Sequence, residues 1–423
     1  MAFYSYQHDD RAVCADCFSD IGIKRFVEEN AVSEECSFCG ATSDEPIAAP
    51  LDEVVEFIEQ GIRTAYGNPD ECAMSWDQED QRYYPGKTYD TDELLYDYLD
   101  LPLDEDGSLF EAISRGLDND LWCDIEQYAL SENERLQYSW DHFCRVIKHE
   151  RRFFFSNYSK YSSDGEIFSP DHVLAIIFEY AETIGLIHPL KRGTRLYRVR
   201  RVDGDGRTAL DLGPPPPDKA RQQNRMSPAG ISMLYASEDP ETALRETVDK
   251  AGIYTVAAFV TERDATVIDF SKLSRIPSIF EQIPDSMEYD PRKLSIFLHT
   301  FREEISKPIV RDDRVHIEYA PTQVVTEYLR TMKTREQGDI DGIVYGSARH
   351  AGGASVVLFC DPKSLILPED QQDRQKLYNQ YNGPWIRLVD YEDRAISDDD
   401  LKCWNDEAPK LQEKPYHDIF DEC

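Results

Sequence analysis

The chain has 423 residues, too many for one ordinary core, so two or three domains are expected. Hydrophobic residues make up 41% and aromatics 11%, enough to bury a sizeable interior and to exclude a disordered protein. With 46 Lys+Arg against 82 Asp+Glu the formal charge is −36; this excludes a nonspecific grip on nucleic acid or an anionic membrane and leaves any phosphate-bearing ligand to a few local arginines.

The opening MAFYSYQHDD lacks the basic and apolar regions of a signal peptide, and no apolar run reaches the roughly 18 residues of a membrane span, so a cytoplasmic location is expected. Cysteines there stay reduced unless a metal holds them. Cys14-x2-Cys17 and Cys36-x2-Cys39 form two pairs separated by 18 residues, the spacing of a tetrahedral four-thiolate zinc site. Gly40 suits the tight turn that aims the second pair. Four closed ligands leave no place for water, which makes the expected Zn2+ structural; the alternative is four reduced thiols packed in a small lobe. Cys72, Cys123, Cys144, Cys360, Cys403 and Cys423 show no such pairing and read as core or surface thiols.

From about residue 50 to 190 the pattern is mostly helical. Leu51, Val54, Val55, Ile58 and Ile62 recur at the three-four spacing of one helix face, with Asp52 and Glu53 in the first turn. Similar stripes run through DELLYDYLDLPL, SLFEAISRGLDNDLWCDIEQYAL and SPDHVLAIIFEYAETIGL, while the acidic stretch from Asn68 to Asp106 reads as a solvated face. In HFCRVIKHERRFFF, Arg145 and His149 fall one helical turn apart, an arrangement open to an RNase reading, although a structural pair is the more common meaning.

After His188-Pro189 the composition changes to short β-branched and aromatic runs: TRLYRVRR, ISMLYAS, IYTVAAFVT, ATVIDF, RVHIEYA, DGIVYGS and ASVVLFCD read as strands. DPETALRETVDKAG and APTQVVTEYLRTMK read as helices between them, which predicts an α+β domain. No glycine-rich dinucleotide turn or phosphate loop is present in the sequence. Alternation puts Leu196, Arg198 and Arg200 on one strand face, and a guanidinium beside an apolar row needs a carboxylate or phosphate. Arg225 precedes a Ser-Pro-Ala-Gly turn, and Tyr235 ends the strand before a helix capped at Ser237 with Asp239 near its start. On that helix Glu246 shares a face with Ala243, beside Thr242, and so points toward the sheet.

The run R-x-S-x2-G-x4-LYAS-x6-AL-x-E, preceded by LYRVR and followed by DGIVYGSARHAGG, resembles the RES-domain family, named for its Arg, Glu and Ser. The resemblance spans about residues 190 to 368, and the segment before it is similar to the HEPN-like N-terminal domain found fused to some RES domains. It implies a bacterial toxin that destroys NAD+ by hydrolysis or phosphorolysis on a fold related to ADP-ribosyltransferases. By position, Arg198 and Arg225 would hold the phosphates of NAD+, Tyr235 would flank the nicotinamide, Glu246 would be the essential acid and Ser347 the family's serine. Arg200 and Arg201 are the reserve phosphate contacts, because the proline-rich insertion DLGPPPPDKARQQN between the two arginines departs from the family pattern.

The expected organisation is thus α+β, a C-terminal mixed-sheet ADP-ribosyltransferase-like domain preceded by a helical domain and a small zinc lobe. Its borders are 1–48 for the four-Cys lobe, 49–189 for the HEPN-like domain, 190–368 for the RES domain and 369–423 for a tail. Inorganic phosphate is an optional co-substrate. An antitoxin or an invasion signal, and a homo-oligomer, are the expected partners, since an uncontrolled NAD+-degrading enzyme would kill its host. ADP-ribosyl transfer to a macromolecule, or RNA cleavage by the helical domain, are the alternatives.

Overall fold

The computed structural model describes residues 10–101, 107–126, 132–155, 167–201, 207–281, 291–306, 314–334, 338–368 and 383–408. By internal contacts the chain forms two compact units, Met1–Gln137 with Arg275–Phe297, and Tyr138–Ser274 with Leu298–Cys423.

In the first unit, strand β1 (Ala12–Cys14) pairs with β2 (Ala48–Pro50) beside helix α1 (Ile21–Glu29), which Asp20 caps. Helix α2 (Leu51–Ile62) buries Leu51, Val54, Val55, Ile58 and Ile62, the face anticipated from their spacing. The rest is less helical than its periodicity suggests. Strand β3 (Tyr66–Gly67) pairs with β7 (Leu121–Asp124), which also pairs with β6 (Thr88–Asp90), and β4 (Ser75–Asp77) with β5 (Arg82–Tyr84) forms a hairpin inside the acidic stretch. Helices α3 (Thr91–Glu93), continued by one π turn at Leu94–Tyr98, and α4 (Ser108–Gly116) close the core around Trp122, to which Phe280 also contributes.

Helix α5 (Glu132–Arg145), within which the chain passes from the first unit to the second, is extended by a π turn at Val146–Glu150, and in the second unit helix α6 (Pro170–Thr183) is buried on most sides and packs on the later helix Ala320–Thr331. The break between the two contact units falls at Gln137/Tyr138. The remaining elements are strands β8 (Ile187–Leu190) and β9 (Arg195–Arg200), helix α7 (Ala209–Leu212), β10 (Leu234–Ser237), α8 (Pro240–Thr247), β11 (Gly252–Thr261) and β12 (Ala265–Asp269). They continue with α9 (Pro291–Ser306), within which the chain passes between the units, α10 (Val315–Glu318), α11 (Ala320–Thr331) and the short pair β13 (Lys333–Thr334) and β14 (Gly338–Asp339). Strands β15 (Gly342–Gly346), β16 (Ala354–Leu358) and β17 (Ile386–Ile396) and helix α12 (Asp398–Glu407) complete the unit.

Eight of these strands form one mixed sheet in the order β17-β11-β9-β10-β16-β15-β12-β8, in which β12 and β15 run parallel. Leu196, Leu234, Ala236, Phe259, Val344 and Val356 fill one face; Val199, Val256, Ala243 and Leu244 fill the other, under α8. The run RVHIEYA is helical at Val315–Glu318, not a strand, because so short an alternation does not distinguish the two periods. The C-terminal segment beyond residue 383 is not a loose tail: β17 pairs with β11 over its length, and Leu401 and Trp404 of α12 pack on the core that includes α8.

Between β9 and β10 the sheet narrows to one register pair, Ser237 with Tyr197. The two halves of the sheet part there, at Arg198.

Candidate functional site

In the N-terminal lobe Cys14 ends β1, Cys17 closes a single 3-10 turn, and Cys36 and Cys39 flank a turn that ends at Gly40 with φ +71. The four sulfurs lie within 4.8 Å of one another, with Cys14 to Cys39 at 3.5 Å and Cys17 to both Cys14 and Cys36 at 3.7 Å. Metal–sulfur bonds of about 2.3 Å in a tetrahedron put sulfurs roughly 3.8 Å apart, so the set fits a zinc-sized ion. Burial and the neighbouring sulfurs push the Cys14 thiol up to about 11 and the Cys17 thiol higher still. Cys36 differs: burial alone would raise it, but backbone N–H groups of Cys39, Phe38 and Cys14 outweigh that and bring it down to about 7. Four such groups in one place can hold a metal ion such as zinc, which is what would let all of them ionise together.

The second site lies on the sheet. Helix α8 is capped by Asp239, whose carboxylate accepts from the Thr242 N–H, so the cap stands two residues later than Ser237, the residue expected from sequence. The helix carries Glu246 to Ser347, which follows β15, and the Ser347 hydroxyl donates to Glu246 Oε1 at 2.5 Å. Ser347 Oγ in turn accepts from the N–H groups of Arg349 and His350 at 3.1 and 3.0 Å. Both lone pairs and the single proton are therefore committed.

On β10, the Tyr235 hydroxyl meets Ser227 Oγ at 2.9 Å and accepts from the Met226 N–H at 3.3 Å; burial pushes the phenol up to about 12, so it is neutral. Its backbone carbonyl accepts from Arg198 Nη1 at 3.1 Å, across the point where the sheet parts. Burial lowers the Arg198 guanidinium to about 9, neighbouring Arg200 adds to this, and Arg198 Nε–H is buried without a partner among the described residues. Among the described residues no carboxylate faces it, so the structural bridge from Arg198 to Glu246 that would make both merely architectural is not formed. Arg200 donates to the Asp211 carbonyl at 3.1 Å.

Arg225 donates to the Glu304 carbonyl at 3.3 Å and lies 5.7 Å from the Tyr319 ring centroid. Helix α11 holds the Arg225 segment by three side chains: Thr322 donates to the Arg225 carbonyl at 2.7 Å, Gln323 to the Asn224 carbonyl at 2.8 Å, and Thr326 donates to Met226 Sδ at 3.2 Å. One residue unsuspected from sequence ties the cluster together. Tyr345, two residues before Ser347, is buried; burial raises its phenol first, the Glu246 carboxylate raises it further and Arg225 opposes. Strand alternation from Ser347 could have found it.

Arg145 and His149 do not form a pair. The π turn at Val146–Glu150 widens the helix between them, His149 is exposed, and Arg145 bonds instead to His142 Nδ1 at 2.8 Å and faces Glu150 at 3.7 Å. Burial, then Arg145, lowers His142, which fits a neutral ring accepting at Nδ1.

The mixed α/β unit thus holds a buried arginine with one N–H unpartnered among the described residues and a carboxylate held by a serine. Family models match the chain twice, as HEPN/RES N-terminal domain 1 over residues 29–161 and as RES domain over residues 195–376. The chain belongs to the RES-domain family, with a HEPN/RES N-terminal domain ahead of the RES domain. The RES domain family is associated with NAD-utilising enzymatic toxins. No curated protein and no solved structure matches the chain. The first match begins between the two cysteine pairs, and the second ends before β17. Among the described residues no helix is long and apolar enough to cross a membrane.

Proposed function

We propose that the RES domain, on an ADP-ribosyltransferase-like sheet, cleaves the bond between nicotinamide and ribose in NAD+, and that the protein depletes NAD+ as a toxin or defence effector. The observation that carries this is Arg198: a buried cation bonded to the Tyr235 carbonyl, with its Nε–H unpartnered and no carboxylate facing it among the described residues. Such a group is stabilised by an anion, and the pyrophosphate of a dinucleotide supplies one.

In this reading Arg198 and Arg225 hold the pyrophosphate, and Tyr235 presents an aromatic face to the cationic nicotinamide ring. As the C1′–N bond breaks, its electron pair leaves with the ring, which becomes neutral, and positive charge builds on the ribose. Glu246, fixed by Ser347, stabilises that charge. Water adding at C1′ gives ADP-ribose and releases a proton; inorganic phosphate adding there gives the 1-phosphate. The four-Cys lobe holds a structural Zn2+ remote from chemistry in kind, since a closed thiolate set has no open position. A separate antitoxin, a trigger or a homo-oligomeric form supplies control.

The test is NAD+ turnover by the full chain, followed by 1H and 31P NMR with and without phosphate. Wild type should release nicotinamide, and Glu246→Gln should lose roughly a thousandfold or more in kcat. Equal turnover by both proteins would remove Glu246 from the mechanism; label from NAD+ appearing on a macromolecule would redirect the reading to transfer.

A further inference from the structure

Beyond the Arg, Tyr, Glu and Ser of the site stands a second set of side chains on the same face of α8. Thr242 is one turn before Glu246, and the loop that brings Ser347 to Glu246 brings His350 to Thr242. Thr242 Oγ1 lies 2.6 Å from His350 Nδ1 and 2.5 Å from Asp239 Oδ2, while Asp239 Oδ1 accepts the Thr242 N–H at 2.8 Å. Thr242 is fully buried.

The protons can be assigned. A carboxylate accepts and Thr has one hydroxyl proton, so Thr242 donates to Asp239 and its oxygen accepts from His350 Nδ1–H. His350 is thereby locked by Nδ1, and its backbone N–H is aimed at Ser347 Oγ at 3.0 Å. Gly353 completes the arrangement: a Cβ there would fall 2.3 Å from Thr242 Oγ1 and 2.9 Å from His350 Nδ1, so only glycine admits the contact.

We propose that Asp239, Thr242 and His350 form a positioning clip for the Ser347 loop, and that His350 acts through Nδ1 and its backbone N–H, not as a proton carrier. Two side-chain pairs one helical turn apart, Ser347 on Glu246 and His350 on Thr242, fix the loop in rotation as well as in place. Without the second, the two backbone donors that fill the Ser347 lone pairs are free to shift, and the serine proton is no longer forced onto Glu246. The consequence for rate rests on the NAD+ reading above; the geometry of the clip does not.

The experiment uses the full chain in four forms besides wild type: His350→Ala, His350→Asn, His350→Gln and Thr242→Val. Asparagine places an amide N–H near the position of Nδ1 and glutamine near that of Nε2, so the two separate the roles. The expected result is a roughly tenfold fall in kcat for His350→Ala, His350→Gln and Thr242→Val with KM for NAD+ within about twofold of wild type, and recovery of most of kcat in His350→Asn. Amide hydrogen exchange over residues 347–353 should accelerate in the three weak variants and return toward wild type in His350→Asn. A His350→Asn protein as slow as His350→Ala, with one limb of the pH–rate profile lost, would overturn the proposal in favour of proton transfer. Unchanged exchange in Thr242→Val would overturn the clip itself. Absence of NAD+ turnover in wild type would count against the enzymatic reading alone, because the exchange measurement still decides whether the clip exists.

Discussion

The four-Cys lobe and the Glu246 site assemble polar groups in opposite ways. In the lobe, four like groups converge within 4.8 Å and have chiefly one another to meet, with only Cys36 drawn toward ionisation by backbone donors. On the sheet, unlike groups converge and answer one another: Ser347 with Glu246, Thr242 with Asp239 and His350, Tyr235 with Ser227. A set of like ligands is incomplete until an ion arrives, so a metal held there would be part of the fold. A set of complementary groups folds complete, and Arg198 Nε–H is one of the few buried polar atoms left without a partner among the described residues.

The contrast is broken first by removing the ion. Cys36→Ser, or treatment of wild type with a strong chelator, should abolish stoichiometric zinc by elemental analysis and unfold the lobe. The loss should be several kcal/mol or more, since structural zinc sites in small domains contribute on the order of 10 kcal/mol. Retention of the native thermal transition without metal would mean that the thiols pack as an ordinary core.

Arg198→Met sharpens it with opposite signs. Replacing a buried cation that lacks a full set of partners by an apolar side chain of similar length should leave stability unchanged or raise it by about 1 kcal/mol. The same change should lower kcat/KM for NAD+ by roughly a hundredfold, through loss of charge-assisted bonds to phosphate. A variant that is destabilised yet fully active would make Arg198 a structural residue.

What was legible in the sequence follows from the same contrast. The cysteine set is readable from its paired spacing, and the order Arg198, Arg225, Tyr235, Glu246, Ser347 was singled out through the resemblance to the RES-domain family. The clip was not readable, because Thr242 and His350 are 108 residues apart and a lone His beside two glycines carries no period. Tyr345 looked like one more strand aromatic. Strand β17 was missed within the segment assigned to a tail, because its middle is acidic and exposed, although β11 holds it along its length. The mixed sheet itself was anticipated, but the strands among the helices of the first unit were not: two- and three-residue strands leave no alternation to count.

The smallest expected effect concerns the helix that lies outside the RES match. Arg245 is one tenth exposed, pairs with Glu241 at 2.9 Å and with Glu407 at 2.7 Å, and lies 5.7 Å from the Trp404 ring. Arg349 donates to the Arg245 carbonyl at 3.1 Å, near the end of α8. Helix α12 therefore braces the same turn of α8 that carries Glu246, from the side opposite in sequence to the clip. Trp404→Ala removes one wall of the Arg245 site while leaving both ion pairs possible, so it should cost about 1–2 kcal/mol of stability and only a few-fold in kcat. Glu407→Gln should cost less, because that carboxylate is half exposed at 54% and screened by water. The order of the two is the discriminating measurement: if Glu407→Gln proved the more damaging to turnover, α12 would be acting on Glu246 through charge, and packing would not be the reason this segment completes the domain.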